Sequence, residues 1–498
     1  MRKIIAAVLL LTLCFSCAYA DTELKAPDYL MEGYDGDGAN HDWDTNLFFR
    51  RMQERTGISF QFRQNTDFTA WTQRIQEMTE GEDLPDVLFK AGLTVRQTEK
   101  MYKAGQIIDL KPYLAEYAPN LNALLSEHED WAKAITLEDG SIPALPNFNQ
   151  LQNNDALWLN TSWIKTLKLE IPNNADELTD VLRAFKTQDP NRNGKADEVP
   201  LTFLGMWDLR FLGHAFGIID NDYYISVRNG KVSSALTTDE NRAFLSWLRT
   251  LWDEKLLDHR GFSMIDSLRQ VTDDNAVPVY GAVLSVTPLT VVSSSALNQY
   301  SVPAPLEYNG KRIYRDLLGD VIRGTFAITK NCSDPEKLVA WVDFLYSEEG
   351  SRMAQSGLEN EEYIWNEDGL WEWTSDLATV ASMVLPEATI SEGGSAPGIT
   401  SAEFQLKYAD TDTREAVTQL YGLKQYSVQP YPCVILTEAD EKRIAELQSA
   451  IAPYAENTMA AFVTGDLELN DKTWAEFCSE IRQLGLEEEI AIWQKYIQ

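Results

Sequence analysis

The chain is poor in the residues that most secreted scaffolds and hydrolases depend on. It has five cysteines in 498 residues, and two of them, Cys14 and Cys17, fall in the first seventeen. The other three, Cys332, Cys433 and Cys478, are far apart and form no CxxC pair, which excludes a disulfide framework and a cysteine zinc site. Histidine is scarce: His41, His128, His214 and His259 are the only four, and none has metal-site or triad spacing. HExxH, GxSxG and phosphate-cradling glycine loops are all missing. Positive charge is also short, with 43 Lys and Arg against 76 Asp and Glu and a net charge of −33. Such a surface repels a phosphate backbone, so nucleic acid is excluded as a partner. There is no internal repeat and no second long apolar run.

What is present is a globular composition. Hydrophobic residues make up 44% and charged residues 24% of the chain, and the length suits two or three domains. The 14 Trp and 20 Tyr exceed what a core requires and suggest amphipathic platforms for a ligand. At the N-terminus, Arg2 and Lys3 precede the ten uncharged residues Ile4 to Leu13. That run is too short to span a bilayer and reads as a secretory leader, residues 1–20. Two endings fit: cleavage after Ala18-Tyr19-Ala20, or lipidation of Cys17 as in a bacterial lipoprotein. Either places the protein outside the cytoplasm.

Helix-period and strand-period segments alternate along the chain. Asn46 to Met52 begins an amphipathic helix that runs to Thr56-Gly57, and Ile58 to Phe62 alternates as a strand. Phe68 to Met78 reads as helix, Leu84 to Phe89 as a short strand and Val95 to Ala104 as helix. This order predicts an α/β fold with a mainly parallel sheet covered by helices, and ligands at the carboxyl ends of its strands. The proline-bearing stretch Gly140 to Pro146 marks a lobe junction, with a second lobe from about residue 151. Near the C-terminus, Thr437 caps one helix and Thr473 to Leu484 forms another.

The most specific motif is Asp189-Pro-Asn-Arg-Asn-Gly-Lys-Ala-Asp-Glu198. Oxygen side chains at positions 1, 3 and 5 and glycine at 6 form the opening of a calcium loop. Asp189, Asn191 and Asn193 turn toward one centre, Lys195 offers its carbonyl, and Asp197 and Glu198 close the shell. Position 12 is Pro200 instead of the usual Glu, so the closing carboxylates come early. A bound Ca2+ would be structural, because every ligand is local. A solvated Asn/Gly/Asp turn is the other reading.

This stretch, with Trp158-Leu159-Asn160 before it, resembles the extracytoplasmic solute-binding proteins of ABC sugar importers. The likeness is to their large oligosaccharide-binding, lipoprotein-type branch, which includes alginate-oligosaccharide binders. Further matching segments are Leu84-Pro85-Asp86-Val87, Ala104 to Leu110, Asp139-Gly140-Ser141, Arg323 to Lys330, Asp343 to Gly350 and Gly357-Leu358-Glu359. The resemblance implies a two-lobed, type II periplasmic-binding-protein-like fold with its ligand in the cleft between lobes, and a monomer that delivers an oligosaccharide to permease subunits in the membrane. The expected division puts residues 21–150 and about 286–345 in lobe one, and 151–285 and about 346–498 in lobe two.

Sugars offer C–H faces to aromatic rings and hydroxyls to polar groups. Trp207 and Asp208 are the first candidates, followed by Trp43 and Asp44 in a Gly/Asp-rich stretch and by Asp86 near a strand end. Trp71, Tyr280, Arg323 and Trp365 complete the set, although Trp71, in a helix, reads more readily as core than as ligand. The acidity of the chain opposes uronic-acid ligands. Two other functions stay open, a secreted glycosidase and a sugar sensor or adhesin of the same fold. Paired carboxylates decide nothing in so acidic a chain.

Overall fold

A computed structural model describes residues 26–497 apart from 38, 40, 152–153, 264–276, 318, 368–370, 377–378, 402–417 and 433. The expected leader, with Cys14 and Cys17, lies outside the described residues, as does Cys433. Cys332 and Cys478 are free thiols.

Local sequence explains where most helices start. The Asn46 side chain accepts from the Phe48 N–H at the head of helix Leu47–Thr56, and Asp67 does the same for Ala70 in helix Phe68–Thr79. Thr94 and Gln97 form a reciprocal capping box on helix Val95–Lys103. Asn160, Asn174 and Thr437 cap the helices Thr161–Leu167, Ala175–Thr187 and Glu438–Thr464. Each cap satisfies an N–H that the helix itself leaves unpaired.

The helices surround two sheets with separate cores. The larger sheet has six strands in the order Gly398–Thr400, Leu145–Asn149, Val321–Ile328, Val87–Phe89, Tyr29–Tyr34, Phe60–Asn65. All run parallel except Val321–Ile328, which is antiparallel to both its neighbours. Met31, Phe48, Phe89, Phe148, Phe326, Trp341 and Ile390 lie in its core. The smaller sheet centres on Ala156–Asn160, flanked antiparallel by Ala282–Ser285 and Tyr300–Ser301. Its body is larger than its sheet, because helices Asp239–Asp253 and Glu438–Thr464 pack Leu245, Leu248, Ile451 and Phe462 into one core with Leu182, Phe185 and Phe203.

Strand and core membership corrects two expected boundaries. Residues 286–315 belong to the second body: Tyr300 pairs with Asn160, and Tyr314–Arg315 pairs with Ser427–Val428. Residues 346–400 belong to the first: Met353, Ala354 and Ile390 lie in its core, and Gly398–Thr400 extends its sheet. The chain therefore leaves the first body after Asn149, returns near residue 320 and leaves again after Thr400. The misplacement has a physical cause, since Gly398–Thr400 pairs with a strand some 250 residues earlier and no local pattern encodes that partner.

Candidate functional site

Strand direction locates the ligand-facing edges. In the first body the parallel strands end at Tyr34, Asn65, Phe89, Asn149 and Thr400. In the second body the chain enters at Ala156. Ala282–Ser285 is antiparallel to that entry strand, and the extended segment 199–203 runs parallel to Ala282–Ser285 through the Thr202–Val283 bridge. Phe203 and Ser285 thus lie on the side where the chain enters, and Trp207 follows directly in the short helix Gly205–Arg210.

Trp207 is 39% exposed on that side. Asp208 is buried and accepts from the Leu204 N–H at 2.5 Å, which braces the turn that presents Trp207. Behind Trp207 lies a charged cluster absent from the expected site. The Arg315 guanidinium sits 4.4 Å from the Phe211 ring centre and 5.6 Å from that of Trp207, and Arg210 sits 3.9 Å from the Tyr224 ring. Both arginines share Asp220, at 3.3 and 3.2 Å. Arg315 is 1% exposed, and its Nε and Nη2 have no hydrogen-bond partner. Burial, and then the charge of Arg210, lowers its pKa to about 10.

The first body answers with a different constellation. Phe68 is 60% exposed at the start of its helix, edge-on to Tyr34 at 5.9 Å. Asp37 ties the two together, accepting from the Tyr34 hydroxyl at 2.9 Å and the Phe68 N–H at 2.6 Å. Beneath them Asp35 is fully buried and accepts from Trp43 Nε1, Gln64 Nε2, Lys90 Nζ and His41 Nδ1. Burial alone would raise the Asp35 pKa, but the hydrogen bonds and charges of His41 and Lys90 together outweigh it and hold the carboxyl below its ordinary value. Lys90 also donates to the Glu392 carbonyl, tying down the loop 391–397.

Several expected ligand residues sit elsewhere. Trp43 is a core residue, 1% exposed and in contact with Phe49, Phe62 and Phe89. Trp71 is buried, with its Nε1–H bonded to the Ala91 carbonyl. Tyr280 is buried among Trp158, Val283 and Tyr300. Asp86 lies at the amino end of its strand, opposite the ligand edge, where it accepts from the Leu30 N–H at 2.7 Å. Arg323 is half-buried and donates to the Ala134 carbonyl at 2.6 Å. Trp365 packs in the hairpin Tyr363–Trp365/Trp371–Trp373 beside other aromatic rings. Asp44 occupies an exposed turn, its N–H bonded to Asp42. Neighbours that bury Trp43 and Trp71, such as Phe89 and Ala91, come from distant segments and leave no trace beside them in the chain. Phe68 was legible through its N-cap Asp67, but an apolar residue at a helix start reads first as core.

The calcium-like loop folds as a turn closed by its own side chains. Asp189 accepts from the N–H groups of Asn193 and Gly194 at 3.1 Å each. Asn193 Oδ1 accepts from the Lys195 N–H, and its amide donates to Asp197 at 3.0 Å. Gly194 has φ 73°, a conformation that favours glycine. Glu198 turns inward: its Oε1 is buried without a partner, and burial with the nearby charges of Asp197 and Asp189 raises its pKa. Among the described residues no three His, Cys, Asp or Glu side chains meet as a metal cluster, so a cation here needs the amide oxygens and the Lys195 carbonyl as well. A buried carboxylate oxygen without a partner, near the charges of Asp197 and Asp189, fits that need.

His214, on the apolar stretch Phe211–Phe216, is half-buried. Its Nδ1 bonds the Phe211 carbonyl at 2.7 Å, Nε2 accepts from the Leu306 N–H at 3.1 Å, and burial lowers its pKa to about 4. Both nitrogens are engaged with the backbone, which makes it a structural residue.

Against known proteins, residues 42–352 match the bacterial extracellular solute-binding protein family. The chain belongs to that family. Its curated relatives include the fructooligosaccharide ABC transporter substrate-binding protein FusA of Streptococcus pneumoniae serotype 4, 27% identical over 91% of this chain and 87% of FusA. Solved relatives of this solute-binding protein include FusA in complex with kestose (25% identity, TM-score 0.71, 94% of this chain and 98% of that one). A solute-binding protein of Bifidobacterium longum subsp. infantis superposes with TM-score 0.78 at 19% identity, over 94% and 97% of the two chains. The alginate-binding protein AlgQ2 does so with TM-score 0.64 at 19% identity, over 95% and 98%. The two bodies are the two lobes of this α/β solute-binding fold.

Proposed function

We propose that this solute-binding protein captures a neutral oligosaccharide between its lobes outside the cytoplasm and delivers it, unaltered, to an ABC permease. The observation that carries this reading is a pair of exposed aromatic rings at the strand-end edges of the two lobes: Trp207, with the Arg315 and Arg210 guanidinium groups 5.6 and 5.7 Å from its ring centre, and Phe68, held against Tyr34 by Asp37. Rings cover sugar C–H faces, while Asp37 and the flanking polar groups meet hydroxyls. The near full-length likeness to FusA, which is named for fructooligosaccharide transport, supports the same substrate class. The net charge of −33 disfavours anionic sugars. Lobe closure on the ligand follows from the hinged architecture.

The reading includes a structural Ca2+ held by Asp189, Asn191, Asn193, Lys195 through its carbonyl, Asp197 and Glu198. The cation would neutralise three carboxylates and pin the loop that leads into segment 199–203, and so the base of Trp207. A solved form of FusA is described as an EF-hand mutant bound to fructo-nystose, which is in keeping with such a loop in a relative. The protein acts as a monomer, released after Ala20 or anchored through Cys17; the mass of the mature chain separates those two.

The deciding experiment is a calorimetric titration of the mature protein with kestose, nystose and other neutral tri- and tetrasaccharides, with chromatography of the recovered sugar. Binding with intact sugar is expected. Bond cleavage would return the protein to the glycosidase reading, and no binding to any sugar would overturn the proposal.

A further inference from the structure

The lobe-one sheet carries a second polar concavity, three strands along the same edge from Tyr34. A cavity of ≈240 Å³ lies between the strand Leu145–Asn149, the helix Glu348–Ser356 and the segment 390–400. Asn147, Asn149, Gln355 and Thr400 line its half-buried interior, and the exposed Ser391 and Ser395 stand at its mouth. The rest of the wall is aliphatic, including Leu345, Ile390 and Pro397. Among the described residues no ionisable side chain lines it, in a chain where 24% of residues are charged.

These features select a ligand chemistry. A charged group brought into this cavity would lose its hydration with no counter-charge to replace it. The Asn147 and Gln355 amides already bond the Ala396 and Ile399 carbonyls, and a ligand with hydroxyls can meet the hydrogen-bonding capacity they have left, which a wholly apolar group cannot. A small neutral molecule with aliphatic faces and many hydroxyls suits both parts of the wall. The volume lies just below the roughly 300–1,000 Å³ of pockets that enclose whole drug-sized ligands, so it fits one ring and not a chain.

Position adds the second half of the argument. Asn149 and Thr400 are paired at the carboxyl ends of adjacent parallel strands, on the same sheet edge as Tyr34. Asn149 N–H bonds the carbonyl of Asp320, whose carboxylate meets Lys424 of lobe two at 3.1 Å, so the pocket adjoins the junction between lobes. Three strand spacings separate Leu145–Asn149 from Tyr29–Tyr34, about 14 Å. A ligand that touches both ends must be several units long.

We infer that this pocket is a terminal subsite that encloses one neutral sugar unit of an oligosaccharide whose other end lies against Tyr34 and Phe68. This rests on the proposed function and gives it a polarity: the chain ends inside lobe one, and the closed end limits how it can be extended there. Loop 391–397, which lies over the pocket, is fastened to Asp35 through Lys90 and to the sheet by the Asn147 amide donating to the Ala396 carbonyl at 2.8 Å.

The test compares wild type with Ser395→Trp, which plugs the mouth from an exposed position, and Asn147→Ala, which removes an interior amide. Each is titrated with kestose, other neutral trisaccharides and a trisaccharide whose terminal unit carries a carboxylate. The expected result is at least a tenfold loss of affinity for the neutral sugar in Ser395→Trp at an unchanged melting temperature, a smaller loss in Asn147→Ala, and rejection of the carboxylated sugar by wild type. If wild type binds a neutral trisaccharide and both variants bind it within twofold, the pocket is not a subsite, although the transport reading stands. If wild type binds no sugar, both ideas fall together. A crystal structure of the wild-type complex tests the same point without any substitution: every sugar ring outside the pocket overturns the inference.

Discussion

Each lobe holds a cluster of buried charge, and the two clusters differ in how fully they are paired. In lobe one the Asp35 carboxylate is surrounded by four donors from its own lobe: a tryptophan, a glutamine, a lysine and a histidine. In lobe two Arg315 keeps two donor nitrogens without partners, Glu198 keeps an oxygen, and Glu489 is pushed up to about 7 by burial despite hydrogen bonds from Gln448 and Trp493. The Asp35 cluster thus completes its electrostatics internally. Lobe two leaves places that a cation, a proton or a ligand must fill. A receptor gains from this division if one lobe supplies a fixed floor and the other responds to what arrives.

The contrast can be broken, and the strongest blow should be Asp35→Asn. It strands the buried Lys90 ammonium, so unfolding in urea should show a loss of about 3–5 kcal/mol. A loss below ~1 kcal/mol would mean that lobe one is not organised by this charge. Next comes calcium. A chelator should lower the melting temperature by several degrees, with recovery on adding Ca2+, as expected for a ligand that stabilises by about 2.7 kcal/mol at a hundredfold excess over its Kd. Asp189→Ala should abolish the response; an unchanged melt, with no metal by elemental analysis, removes the cation from lobe two.

The proton is the third lever. Glu489 has a folded pKa of about 7 against an ordinary 4.5, so between those values the folded state binds the extra proton. Stability is therefore greatest below about pH 4.5, as far as this group is concerned, and falls as pH rises through 7. Glu489→Gln should flatten that slope and raise stability at pH 8 by on the order of 1–3 kcal/mol; a slope unchanged in the variant rejects the assignment. Trp207→Ala should cost about tenfold in sugar affinity, roughly 1.4 kcal/mol, with little change in melting. The smallest effect is Arg315→Met. Asp220 keeps Arg210 and the aliphatic stem still covers Phe211, so stability should move by less than ~1 kcal/mol. A cost near that of Asp35→Asn would erase the difference between the lobes.

Much of the secondary structure was legible because it is written locally. Asn46, Asp67, Thr94 and Thr437 are side-chain caps, and the helices they open run close to the expected spans. The 189–198 loop was legible for the same reason, since its hydrogen bonds join residues two to five apart. The ligand cleft was much less so. Trp43 sits between two aspartates, yet Phe89 packs on it from 46 residues away, while Ala91 and Tyr300 bond to Trp71 and Tyr280 from 20 residues away each. Arg315 carries no motif; its place beneath Trp207 depends on the pairing of Tyr314–Arg315 with Ser427–Val428, more than a hundred residues later. Partners at that distance are set by tertiary packing, which no periodicity records.

The antiparallel strand Val321–Ile328 sits in the middle of the lobe-one sheet, between Leu145–Asn149 and Val87–Phe89. Until it is inserted the early strands have an open seam, and Gly398–Thr400 must follow on the outer edge. Lobe one therefore cannot finish assembling during synthesis until most of lobe two has already emerged. Contacts of such long range form slowly, so the sheet stays an unfinished ribbon with two unsatisfied strand edges through most of the chain's synthesis.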